Sequence, residues 1–163
     1  MERIKKIMAS VLTIAAFAAA TVSCSKDDDD DRLEDGLIGR WVFSEGNIRF
    51  STNGQWYDAK AEGLDVSAFA KRFSGLFFVF EKNGKVSAGQ GGQSSPWGSY
   101  SVSGDQIMIK DGSSTMTMGY RVSGKTLDLI WYRSIFHDMG VSTSEIDAMG
   151  FDDFEMIMTF SKN

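Results

Sequence analysis

The chain has 163 residues, 42% hydrophobic and 24% charged, the balance of one globular domain rather than a disordered polymer. One cysteine and one histidine exclude a disulfide framework and a Cys/His zinc cage. A net charge of −5 argues against nucleic-acid binding, which needs a basic face.

The N-terminus reads as an export signal. Arg3, Lys5 and Lys6 precede an uncharged run of 14 residues over 7–20, short of the roughly 20 needed to span a bilayer. Thr21-Val22-Ser23-Cys24 resembles a bacterial lipobox, which would make 1–23 a signal peptide and Cys24 the acylated residue. The rival cut after Ala18-Ala19-Ala20 would start the mature chain at Thr21 and leave a free thiol in an exported protein. Lipidation is favoured, because it gives the lone cysteine at the border of the signal a role. Cys24-Ser25-Lys26-Asp27-Asp28 resembles the lipoprotein export signal of Bacteroidetes. By that resemblance Lys26, Asp27 and Asp28 direct the lipoprotein to the outer face of the outer membrane. Residues 24–35 hold two basic against seven acidic side chains, whereas 36–163 hold 12 against 14. The acidity therefore sits in a self-repelling, extended tether before a nearly neutral domain.

From Leu37 onward, short apolar or alternating runs are separated by glycine turns. Strand candidates lie over 37–43, 47–51, 55–58, 76–80, 85–88, 97–102, 106–110, 115–122, 126–132 and 154–160, and eight or nine strands are expected, mostly in sequential antiparallel hairpins. Asn53-Gly54 and Asn83-Gly84 are strong turn signals, and Gly104, Gly112 and Gly124 mark others. Met116, Met118, Tyr120 and Val122 share one strand face, and Met156, Met158 and Phe160 another. A closed up-and-down antiparallel barrel is favoured over a sandwich, because closure removes exposed edges. Two segments read as helices. Over 64–73, Val66, Phe69, Ala70 and Phe73 form a stripe behind the possible cap Asp65. Over 146–149, a capping box at Ser142–Glu145 precedes the helix and Gly150 can stop it. The run 76–80 is apolar at every position, so the first helix is expected to pack outside the barrel wall there. Burial of Phe69 and Phe73 would contribute about 1.5–3 kcal/mol each.

Gly39-Arg40-Trp41 opening the first strand resembles the Gly-x-Trp motif of lipocalins. With Gly98-Ser99-Tyr100 and the later 124–129 segment (GKTLDL), the chain from Leu37 onward is similar to lipocalin-like lipoproteins of Bacteroidetes, whose domain has no known function. The resemblance implies an all-β lipocalin-like barrel of about eight strands over 36–163, with an outer helix and a short C-terminal helix. It also implies that Gly39 and Trp41 close one barrel end, with a late arginine over the indole. Arg121 and Arg133 are the possible counterparts.

No residue constellation names a reaction. His137 has no second histidine beside it, and neither Ser134 nor Ser142 stands in a nucleophile elbow. Asp152, Asp153 and Glu155 lack calcium-loop spacing, and 89–92 (GQGG) is no phosphate loop. It reads as a flexible loop before Pro96 that leaves Trp97 near a barrel mouth, where a tryptophan anchors a strand end or stacks on a ligand. Methionine fills irregular cores and also suits adaptable pockets. The candidate ligand-facing set is Trp97, Tyr100, Met116, Met118 and Tyr120. The expectation is a lipid-anchored outer-membrane protein facing the cell exterior, without cofactor, metal or catalysis, that binds a small apolar or amphipathic ligand. The alternative is an accessory subunit docking on another envelope protein.

Overall fold

The computed structural model describes residues 36–138, 147 and 150–163. The expected signal peptide and tether, the capping box at 142–145, most of the helix expected over 146–149, and the side chains of Phe69 and His137 lie outside what is described. Eight strands form a closed antiparallel barrel: β1 (Gly39–Thr52), β3 (Phe77–Phe80), β4 (Lys85–Gln90), β5 (Gln93–Ser103), β6 (Gln106–Asp111), β7 (Ser114–Ser123), β8 (Thr126–Tyr132) and β9 (Asp153–Lys162). The chain winds up and down from β3 to β9, and β9 pairs with β1 to close the sheet. A short strand β2 (Gln55–Asp58) folds back on the far half of β1 as a hairpin arm. Helix α1 (Ser67–Arg72) precedes β3, and α2 (Arg133–Asp138) links β8 to β9.

The first two expected strands are one. β1 runs unbroken through Ser44, where its register against β9 shifts by one residue. This bulge changes the side-chain parity: Trp41 and Phe43 face inward before it, Ile48 after it. Two separate apolar runs thus serve one strand that first pairs with β3 and then with β2.

The loop expected before Pro96 is strand on both sides of a tight turn. Gln90 pairs with Gln93 around a two-residue turn, Gly91-Gly92, with φ of 64° and 90°. Two successive positive φ values suit the twist of a tight hairpin, and glycine adopts them without strain. Pro96 is tolerated inside β5 because the β4–β5 register shifts there and leaves Trp97 as the extra residue.

Helix α1 is shorter than expected and sits elsewhere. Asp65 does cap it, its carboxylate accepting from the Ser67 amide at 2.8 Å. Its contacts are chiefly with β1, and Phe73 just after it tilts against the inward-facing Phe43 at 5.9 Å. The Gln90 amide bonds the carbonyls of Arg72 and Ser74, fixing this segment beside the β4–β5 tip. The outer face of β3 is covered differently: the Arg40 guanidinium lies 3.8 Å above the Phe77 ring, and Gly89 lets that ring lie flat on the wall. A residue with a Cβ at 89 would collide with Phe77, at 2.5 Å.

Candidate functional site

The two barrel ends differ. One end carries the start of β1, the β3–β4, β5–β6 and β7–β8 turns and the end of β9. It is dry: Leu37, Trp41, Phe80, Leu127 and Phe160 are 0–1% exposed. The Trp41 indole donates to the Leu37 carbonyl at 2.6 Å. The cation over that indole is Lys162, its ammonium 5.0 Å from the ring, and not Arg121 or Arg133. Arg121 points outward to Asp128 at 2.7 Å, and Arg133 pairs with Asp147 and the Asp152 carbonyl. The reason lies in register: Lys162 is paired directly with Trp41 across β1–β9, whereas Arg121 is on an outward-facing position. Gly39 makes room for it. Its φ of 132° is open to glycine, and a Cβ there would stand 2.9 Å from the Lys162 stem. The Lys162 ammonium ends on the Gly36 carbonyl at 3.0 Å. The Gly-x-Trp motif is here a lysine-clamped plug.

The opposite end carries the β1–β2, β4–β5 and β6–β7 turns and both helices. Several of its apolar side chains are partly buried, namely Phe50, Leu64, Phe73, Trp97, Met116 and Phe151, beside the buried Leu76 and Phe154. Trp97 stacks on the interior Phe78 with centroids 5.2 Å apart. Phe50 packs on Phe151 at 4.7 Å, and Ile135 of α2 is buried in the same cluster.

The expected ligand-facing residues are therefore divided. Trp97 and Met116 lie at the end opposite Trp41. Met118 is fully buried in the barrel middle. Tyr100 and Tyr120 are 5% and 6% exposed and belong to the sealed part. Tyr100 packs edge-on against Phe80, and its hydroxyl donates to the Glu81 carbonyl at 2.9 Å. Burial, aided by the Glu81 charge, raises its pKa above the ordinary tyrosine value. One interior residue was missed. Trp131 lies on the inward face of β8 with Leu127 and Leu129, 8% exposed. The alternation of 126–132 could have revealed it.

No protein-family model matches the chain, and no curated protein matches it.

The acidic residues near the C-terminal strand have structural partners. Asp152 accepts from the Gly54 amide, Asp153 from the Phe154 amide, and Glu155 from Arg49. Among the described residues, no group of three or more potential metal ligands converges, and no helix is long and apolar enough to cross a membrane. A separate groove of about 470 Å³ lies on the outer wall between the bulged part of β1, the segment after β2, and β8–β9. Its polar groups satisfy one another: Lys60 with Glu45 at 2.7 Å, Asn47 with Asp58 at 2.7 Å, and Thr159 with Asp128 at 2.8 Å.

Proposed function

We propose that this chain is a non-catalytic, lipid-anchored envelope protein that takes a small apolar or amphipathic ligand at the barrel end opposite Trp41. The observation that carries the reading is the asymmetry of the interior. Tryptophan, lysine and backbone hydrogen bonds seal one end, while aromatic and methionine side chains at the other keep part of their apolar surface uncovered. Barrel mouths with apolar walls are common ligand sites, and eight strands leave an interior that side chains fill or that holds one small ligand. The anchoring part of the proposal rests on Cys24 and on Lys26, Asp27 and Asp28. The lipocalin resemblance supports the same reading.

The test is an apolar fluorescent dye titrated into the non-acylated Cys24→Ala chain. Saturable uptake is expected, weakened in Trp97→Ala. Absence of a saturable site would refute ligand binding. A second reading, docking on another envelope protein, draws on Trp56. It is the one large apolar side chain exposed among the described residues, at 41%, and it stands on the β1–β2 arm under Arg49. If the dye fails and Trp56→Ala abolishes co-purification with a partner, that reading replaces the first.

A further inference from the structure

Among the described residues, one buried side-chain nitrogen or oxygen has no hydrogen-bond partner: Nε1 of Trp131. Such a group is uncommon in a folded protein, because a donor removed from water without an acceptor loses free energy that a well-placed partner would recover. The contrast with Trp41 is direct, since that indole donates to a carbonyl inside the same barrel. Trp131 is on the inward face, 8% exposed, on the strand that runs into α2 at the end opposite Trp41.

From this we infer that Trp131 Nε1 is the polar anchor of the barrel site and that the ligand carries an uncharged hydrogen-bond acceptor, a carbonyl, on an apolar body. The inference rests on the ligand-binding reading above and names the ligand chemistry of that site. The acceptor is neutral because the surroundings are. On the inner wall Met156 is paired with Trp131 across β8–β9, Leu129 shares its face of β8, and the buried Met118 lies on β7 just past the last β7–β8 pair. Arg133, the cation nearest in sequence, is held by Asp147 and the Asp152 carbonyl. A carboxylate brought to one indole N–H without a cation would lose more in desolvation than a single bond returns. Met116 stands at the mouth, with Met118 and Met156 deeper in, and unbranched methionines reorient to admit a guest.

The experiment compares three probes of one chain length, 2-undecanone, undecane and undecanoate, as competitors of the bound dye on the Cys24→Ala chain. In parallel, the four tryptophan indole N–H resonances are followed by ¹H–¹⁵N NMR. The ketone should compete on the order of fivefold better than the alkane and shift the Trp131 indole proton downfield. The Trp41 indole proton should stay in place. In Trp131→Phe, which keeps a ring in the core, the preference for the ketone should vanish while the alkane still competes. The NMR result on the unsubstituted indole decides the matter even if that variant fails to fold. Equal competition by ketone and alkane with an unmoved Trp131 resonance would overturn this inference and leave apolar binding standing. Tighter binding of undecanoate than of the ketone would overturn the neutral-acceptor assignment. Failure of the dye itself to bind would overturn the binding reading and this inference with it.

Discussion

Replacing Trp41 with phenylalanine keeps a ring in the plug but removes its one donor. The indole N–H reaches the Leu37 carbonyl at 2.6 Å, and both residues are 0% exposed, so water cannot take over the bond. A buried carbonyl that loses such a donor costs about 1–3 kcal/mol. The smaller ring also leaves a gap in the core that Trp41 helps to fill, which adds roughly 1–2 kcal/mol. The Lys162 ammonium 5.0 Å above the ring keeps most of its attraction, since phenylalanine is also a π face. The expected loss is about 2–5 kcal/mol, a large share of the 5–15 kcal/mol typical of a domain. Urea unfolding followed by far-UV circular dichroism measures it. With a slope of about 1–3 kcal/mol/M, the midpoint should fall by roughly 1–3 M at unchanged slope. Lys162→Met keeps the stem, removes the charge, and should cost only about 0.5–2 kcal/mol. A Trp41→Phe loss below 1 kcal/mol, or one no larger than that of Lys162→Met, would show that the plug is not held by the indole bond.

Gly39→Ala forces a side chain onto a φ of 132° and against the Lys162 stem, and should destabilise the barrel by about 1–3 kcal/mol, read as a lower melting temperature. Because burial raises the Tyr100 pKa, the folded chain keeps a proton that the unfolded chain releases near 10.0. Stability should therefore fall as pH rises above 10.0, and less steeply in Tyr100→Phe, as denaturant midpoints across that range will show. Cys24→Ala should yield a soluble periplasmic protein, and mass spectrometry of the native protein should find acyl chains on Cys24; an unmodified chain beginning at Thr21 would refute lipidation. Alanines at Lys26, Asp27 and Asp28 should leave acylation and melting temperature unchanged but reduce cleavage by protease added outside the cell.

The all-β class, the hairpin order and the inward faces of β7 and β9 were legible in the sequence because each depends on neighbours within one or two strands. Period-two alternation places Met116, Met118, Met156 and Met158 on the interior, and glycine turns separate the strands without reference to the rest of the fold. The position of α1, the continuity of β1 through its bulge and the cation over Trp41 were decided only in three dimensions. Lys162 lies 121 positions along the chain from Trp41 and meets it only because β9 closes on β1. The same closure separates the expected ligand-facing residues. Trp97 and Tyr100 differ in strand parity and meet the same core only because Trp97 is the bulge residue of β5; the end at which each lies, like that of Tyr120, follows from strand register. A donor left without an acceptor, as at Trp131, is likewise a property of the packed interior. Sequence alone shows an indole on an inward face; whether a carbonyl stands opposite its N–H depends on every strand around it.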